Sequence, residues 1–413
     1  MQRTIFSMTL IVLTAVSAES ANWPNWRGPT GNGVAAGKGY PVKWSTTENV
    51  VWKVALPGAG SSTPVVWKNR IFLTCPDAGR NAVMCFDRSG KKLWATPIGD
   101  EKAGKHKMGS GTNPSVATDG KHVFVYFKSG DFAALDFKGK VVWRKNLQKM
   151  YGNDTLWWDL GTSPVLTKEC VVVACMHTGP SYVAAFDKDS GDLVWKHDRN
   201  LGAPVEAAQS YTTPIVTTEG DRQIIIVLGA DHVTAHDAID GNELWRVGGL
   251  NPTGNKYYRS IASPNLADGI LIAPYDRGGS VRGIRLGGSG DVTKSHVIWK
   301  QNVGADVATP IAVNGKVYVC SDRGSVTSLD IESGEKLATF TAKRNRGKYY
   351  ASPILANGAI YTTREDGTIF VVGQKDLSLI SVNKMGELTA ASPVFVDGQI
   401  LIRTDQHLYC IGK

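Results

Sequence analysis

Cys85-Phe86-Asp87-Arg88-Ser89-Gly90-Lys91-Lys92-Leu93-Trp94 contains the end of an apolar strand, a turn and the start of a second strand carrying a large ring. The Asp carboxylate can accept amide hydrogens of the turn. The Gly supplies a positive φ without a Cβ to strain it. The Trp buries its ring against a neighbouring unit, where its indole N–H needs an acceptor. The element recurs as Leu135-Asp136…Gly139…Trp143, Phe186-Asp187…Gly191…Trp195 and His236-Asp237…Gly241…Trp245. A fifth copy is stretched and ends at Trp299. A sixth keeps Leu329-Asp330…Gly334 with Phe340 near the Trp position, and the seventh has lost the element.

Working outward, each copy follows a proline preceded by Ser, Thr or Asn and followed by a short run rich in apolar residues. Pro64, Pro114, Pro164, Pro214 and Pro264 recur every 50 residues, and Pro310, Pro353 and Pro393 follow at 46, 43 and 40. In the first copy a short strand follows Pro64, then Ile71–Cys75, then Val83–Phe86, then the strand carrying Trp94. A period of 40–50 residues built from four short strands predicts a propeller blade. The last copy holds three strands, Val394–Val396, Gln399–Arg403 and Leu408–Ile411. Residues 49–58, with Trp52, read as the missing fourth. Pairing the two chain ends closes the ring and removes an open sheet edge. The expected fold is therefore an all-β, eight-bladed propeller of four-stranded antiparallel blades over residues 49–413. Its repeat residues are Trp52, Asp87, Trp94, Asp136, Trp143, Asp187, Trp195, Asp237, Trp245, Trp299 and Asp330.

The N-terminus predicts export. Arg3 precedes an apolar stretch from Ile5 to Val16, and Val16-Ser17-Ala18 offers a cleavage site, giving a signal peptide at 1–18 and an extension at 19–48. Twelve residues fall short of the roughly 20 that span a bilayer, so no transmembrane anchor is expected. The expected location is periplasmic or extracellular, soluble after cleavage. The formal charge of +9 is scattered, with its densest run in one loop, Lys343–Lys348, which argues against nucleic acid as partner. Six cysteines in an exported chain permit disulfides. If the first hairpin turns near Arg80, Cys75 and Cys85 face each other and can bridge. Cys170 and Cys175 lie on opposite faces of one strand, and Cys320 and Cys410 read as buried thiols. No spacing suggests a zinc site.

The Asp…Gly…Trp element resembles the tryptophan-docking repeat of quinoprotein (PQQ) dehydrogenases and of their cofactor-free relatives, the PQQ-like propellers that include BamB-type outer-membrane assembly proteins. Trp23-Pro24-Asn25-Trp26-Arg27-Gly28-Pro29…Asn32-Gly33-Val34 resembles the opening of exported members of that group. The resemblance covers residues 22–413. It implies a non-enzymatic propeller that binds a protein or a small ligand, with a glycan or a peptide among the candidates. The alternative it implies is an alcohol or sugar dehydrogenase using PQQ and Ca²⁺. The chain departs from the quinoproteins in lacking adjacent cysteines, and from the assembly factors in lacking a lipidation Cys after the apolar stretch.

A propeller binds at its channel mouth, where loops enter the innermost strands. Those loops supply Trp157, Trp158, Asp159, Gln209, Tyr257, Tyr258, Arg259, Asp306, Lys348, Tyr349 and Tyr350, with His106, Lys107, Glu206 and Glu387 nearby. Asp159, Gln209, Arg259 and Lys348 stand five positions before their prolines and Asp306 four before, so they are expected to converge on one axis. Under the dehydrogenase alternative, Asp159, Glu206 and Asp306 would supply calcium oxygens and Arg259 or Lys348 a counter-cation. No spacing singles out a catalytic residue, and the Gly-rich stretches at 278–280 and 287–290 read as loops of the fifth blade.

Overall fold

The first repeat folds as Val65–Trp67, Arg70–Asp77, Arg80–Asp87 and Lys92–Asp100, an antiparallel meander in that order. The computed structural model describes residues 22–412, so the expected signal peptide lies outside the described residues. Within them, eight such sheets form an eight-bladed propeller with the first strand of each innermost. Val50–Ala55 pairs antiparallel with His407–Ile411, so the eighth blade is completed by the N-terminal strand and the ring is closed. No helix among the described residues is long and apolar enough to cross a membrane.

Each repeated Trp lies against the turn of the following blade. The indole N–H groups of Trp52, Trp94, Trp143, Trp195 and Trp299 donate to the carbonyls of Arg88, Phe137, Lys188, Ala238 and Ile331. A Cβ added at Gly90, Gly139, Gly191, Gly241 or Gly334 would fall within 2.8 Å of one of these rings, so the turn glycine makes room for the indole as well as supplying the positive φ. The Asp carboxylates accept the turn amides: Asp87 Oδ1 from Ser89 and Lys91, and Asp136 Oδ1 from Lys138 and Lys140.

Three copies depart from this pattern; in blade seven Ser381, opposite Val371, holds the Trp position. In blade six Ala338, opposite Ser328, holds the place that Trp299 holds opposite Gly283, and Phe340 lies two residues beyond it. The next turn carries Leu377 at φ +55 where the other turns carry Gly, and Leu377 and Ala338 pack in one apolar cluster. A small residue has replaced the Trp and a large one the Gly. In blade four Trp245 is fully buried with its Nε1 unpartnered. Gly290-Asp291, expected in a loop of blade five, instead pairs in parallel with Trp245-Arg246 as a fifth strand.

The hydroxyls beside the prolines form a closed circuit. The backbone N–H of Thr63 donates to Ser115 Oγ, and the pattern continues from Ser115 to Ser163, Thr213, Ser263, Thr309, Ser352 and Ser392. Ser392 N–H then donates back to Thr63 Oγ1, all at 2.8–3.2 Å. Every blade thus gives one amide hydrogen to the next, and the polar backbone at the channel wall is satisfied. In blade two the hydroxyl is Ser115, after Pro114, so even proline spacing conceals steps of 52 and 48 residues.

Residues 22–49 run through the channel instead of trailing from it. Trp23 exchanges both backbone hydrogen bonds with Val66, Thr118 N–H donates to the Pro24 carbonyl, and Val34-Ala35 pairs in parallel with Leu355-Ala356. The buried Arg27 guanidinium donates to the carbonyls of Pro353, Pro310 and Asn32. Burial without a carboxylate pulls its pKa down to about 9. A Cβ on Gly33 would stand 2.1 Å from that guanidinium, so only Gly lets it through. The chain then leaves past blades seven and eight, where Tyr40 packs on Phe395 and Trp44 N–H donates to Asn383.

The Cys75–Cys85 bridge is not formed. The hairpin turns at Ala78-Gly79, not near Arg80, so Cys75 stands opposite Ala82 and Cys85 opposite Phe72. That shift is an odd number of positions and sends the two thiols to opposite faces of the sheet. All six cysteines are buried and unpaired, and burial pushes the Cys85 thiol up to about 12.

Candidate functional site

Above the plug the channel widens into a cavity of about 460 Å³. Its lower wall is the hydroxyl circuit, with Thr63, Ser115, Ser163, Thr213, Ser263, Ser352 and Ser392 all lining it, and Trp26 of the plug closes it from below. Its upper wall is built by the loops before the prolines. Of the residues expected to converge, Asp159, Arg259, Asp306 and Lys348 line the cavity together with Trp158 and Tyr350.

The others are placed differently. Gln209 is fully buried behind the wall, where its Oε1 accepts from Trp157 N–H and Tyr211 Oη. Trp157 and Tyr257 stand on the rim, each 45 % exposed. Tyr258 packs on the apolar cluster of blades four and five, and Tyr349 is buried against Gly324 and Phe370. Neither Tyr258 nor Tyr349 walls the cavity, because in each Tyr-Tyr pair one ring is taken into the core. Sequence reasoning missed Trp26, Arg277 and Asp322, which also line it. The Trp26 signal lay in a segment read as an extension, and Arg277 and Asp322 lie in turns between second and third strands.

The charged groups are mutually engaged. Asp159 Oδ1 takes Lys128 Nζ at 2.5 Å, and its carboxylate accepts the backbone amides of Lys105 and His106. Arg259 lies between two acids: Nη2 donates to Asp306 Oδ2 at 2.8 Å and Nε is 3.4 Å from Glu206 Oε1, which also accepts the Trp158 indole N–H. Asp322 Oδ1 accepts the Asp306 N–H. Burial first, then the neighbouring Asp306, pushes the Asp322 carboxyl up. Glu387 belongs to ring closure, accepting from Tyr409 and pairing with Lys53 of the N-terminal strand.

Calcium does not fit this donor set. Asp159 is neutralised by Lys128 and used up by loop amides, while the Arg259 guanidinium occupies the place between Glu206 and Asp306 that a divalent cation would need.

The loop at 101–113 crosses this mouth as a strap. Asp159 holds its backbone at one end. The His106 ring lies edge-on to both Trp158 and Tyr350, and Lys107 reaches Glu365 of blade seven at 2.9 Å. His106 Nδ1 accepts the Met108 N–H.

The rim beside the strap is apolar and continuous over three blades. Trp157, Trp158, Val205 and Tyr257 are each more than 40 % exposed. Their loops are tied together: Trp157 N–H donates to Gln209 Oε1, and Ala207 N–H to the Lys256 carbonyl. Val205 is held at φ +48, an uncommon conformation for a β-branched residue.

The comparisons agree with this fold. The chain is 24 % identical over 299 residues to the outer membrane protein assembly factor BamB of Bordetella pertussis, an alignment covering 70 % of this chain and 67 % of that protein. Among solved structures, BamB of Moraxella catarrhalis superposes with a TM-score of 0.63 at 16 % identity, covering 88 % of this chain and 97 % of the other. The quinohemoprotein alcohol dehydrogenase of Comamonas testosteroni superposes at 0.68 with 13 % identity, covering 96 % and 81 %. At those identities the structures speak for the fold alone. The sequence profile described as outer membrane protein assembly factor BamB matches residues 33–198 and 161–377, most of the chain, and the protein belongs to that family.

Proposed function

We propose that this chain is an exported, non-catalytic propeller that recognises a protein partner in outer-membrane protein assembly. The observation that carries the reading is the rim of Trp157, Trp158, Val205 and Tyr257, exposed together on loops that three blades hydrogen-bond into one surface. Contiguous exposed aromatics on a rigid frame suit protein recognition, where Trp and Tyr supply most of the binding energy. The naming of the relatives supports the same role. Asp159, Glu206 and Asp306 are each engaged by a cation, which leaves no vacant metal site among them and favours binding over turnover.

The test is deletion of the gene in its host, with folded outer-membrane β-barrel proteins measured by their heat-shifted migration on gels. Their levels should fall on deletion and recover with the wild-type chain. A Trp157→Ala/Tyr257→Ala variant, which changes only exposed side chains, should fold and fail to restore them. Unchanged levels after deletion would sink the reading.

A further inference from the structure

We infer that the strapped cavity inside the mouth is a binding site for a neutral polyhydroxylated molecule of mono- or disaccharide size. It lies inside the rim assigned above to a protein partner and shares only Trp158 with it. The size is suitable, since about 460 Å³ is within the range of small-molecule sites.

The chemistry of the wall points to a sugar in three ways. First, each hydroxyl of the circuit uses its oxygen to accept a neighbouring amide hydrogen and donates its own hydrogen to no group among the described residues. A ring of unused O–H donors therefore borders the space, and sugar hydroxyls can accept from it. Second, two charged side chains of the wall, Arg259 and Asp306, lie side by side and are paired to each other. One is a donor and the other an acceptor, a combination that a single hydroxyl or a vicinal pair can satisfy and an apolar ligand cannot. Third, aromatic faces border the same space: Trp158 and Tyr350 on either side of His106, with Trp26 below. Such faces cover the apolar C–H surface of a sugar ring.

Charge separates a neutral ligand from an anion. The carboxylates of Asp159, Glu206, Asp306 and Asp322 balance Lys128, Arg259, Arg277 and Lys348 on and just behind the wall. A buried anion would find no net positive charge to offset its desolvation, while a neutral polyol needs none. The strap supplies the cover. Its far end is held on blade seven by the Lys107–Glu365 ion pair and by the His106 ring against Tyr350.

The experiment is a titration of the full chain with glucose, maltose and myo-inositol, read by tryptophan fluorescence and checked by calorimetry, with gluconate as a charged control of similar size. At least one neutral compound should bind saturably, one per chain, and at least tenfold more tightly than gluconate. Trp158→Ala and the isosteric Asp306→Asn should each weaken that binding about tenfold or more. Trp157→Ala, on the rim and outside the cavity, should leave it unchanged. No saturable binding by any of the three, tighter binding of gluconate, or affinity indifferent to both cavity substitutions would overturn the assignment. Asp306→Asn and Trp157→Ala keep the two sites apart: the first alters the cavity alone, the second the rim alone, and the rim is read by outer-membrane protein levels.

Discussion

Gly241 has φ +73, and an added Cβ would stand 2.3 Å from the Trp195 ring. Gly315 has the same φ of +73, with nothing within 4 Å of the added atom. The pair separates the two demands on a turn glycine. Gly315→Ala should cost about 1 kcal/mol, the conformational share alone. Gly241→Ala should cost about 2–4 kcal/mol, since overpacking against a buried ring is added to it. Chemical denaturation of both variants measures the difference; equal losses would mean that the Trp contact contributes nothing. Leu377 shows the same logic from the other side. It keeps the left-handed backbone that Gly usually occupies and fills space that Ala338 leaves open. The Asp…Gly…Trp signal vanishes there while the packing between the blades is kept.

At the scale of elements, the hydroxyl circuit explains why Ser or Thr accompanies nearly every repeat proline. The first strand of each blade is short, and apart from the plug's contacts with Val66 and with Leu355-Ala356 no strand pairs with it on its channel side, so its entering amide needs an acceptor from elsewhere. The next blade's hydroxyl provides it. Ser263→Ala leaves the half-buried Thr213 N–H without a protein acceptor and should cost about 0.5–1.5 kcal/mol. Ser263→Thr should be tolerated, because the circuit already uses Thr63, Thr213 and Thr309. Thermal unfolding of the two variants is the check, and equal melting temperatures would refute the role. The first hairpin carries a related lesson. Its two-residue turn at Ala78-Gly79 sets the register of the whole pair, and a turn placed a little later in the chain would have brought Cys75 and Cys85 together.

The N-terminal segment acts on the whole molecule. It plugs the channel through Trp23 and Arg27, and then completes the eighth blade through Val50–Ala55. These two tasks lock the ring at its centre and at its circumference. A chain beginning at residue 58 would leave Leu408–Ile411 as an open apolar edge and the Arg27 carbonyl partners bare. It should aggregate or elute as higher oligomers on size exclusion, where the full chain runs as a compact particle. A monomeric, thermally unchanged truncation would show that closure does not depend on the segment. The same closure draws on Glu387. Its hydrogen bonds from Thr404, His407 and Tyr409 outweigh partial burial and hold its pKa at about 2. Its contribution is therefore present at neutral pH and is lost as pH falls from about 4.5 through 2.

The blade count, the four strands of each repeat and the shared eighth blade were all legible in the chain, because each is set by local signals. A turn Asp and Gly, a following Trp and a proline before each first strand act within a few residues and recur, so repetition amplified them. The convergence of Asp159, Arg259, Asp306 and Lys348 was readable for the same reason, as equivalent offsets in a closed ring meet at its axis. Other features depended on contacts between residues hundreds of positions apart. Arg27 meets the carbonyls of Pro310 and Pro353 only inside the assembled channel, and Arg259 meets Glu206 and Asp306 only when three blades stand side by side. Which mouth residues face the cavity, which pack into the core and which charges cancel is decided by that packing, since no short-range pattern distinguishes Tyr349 from Tyr350.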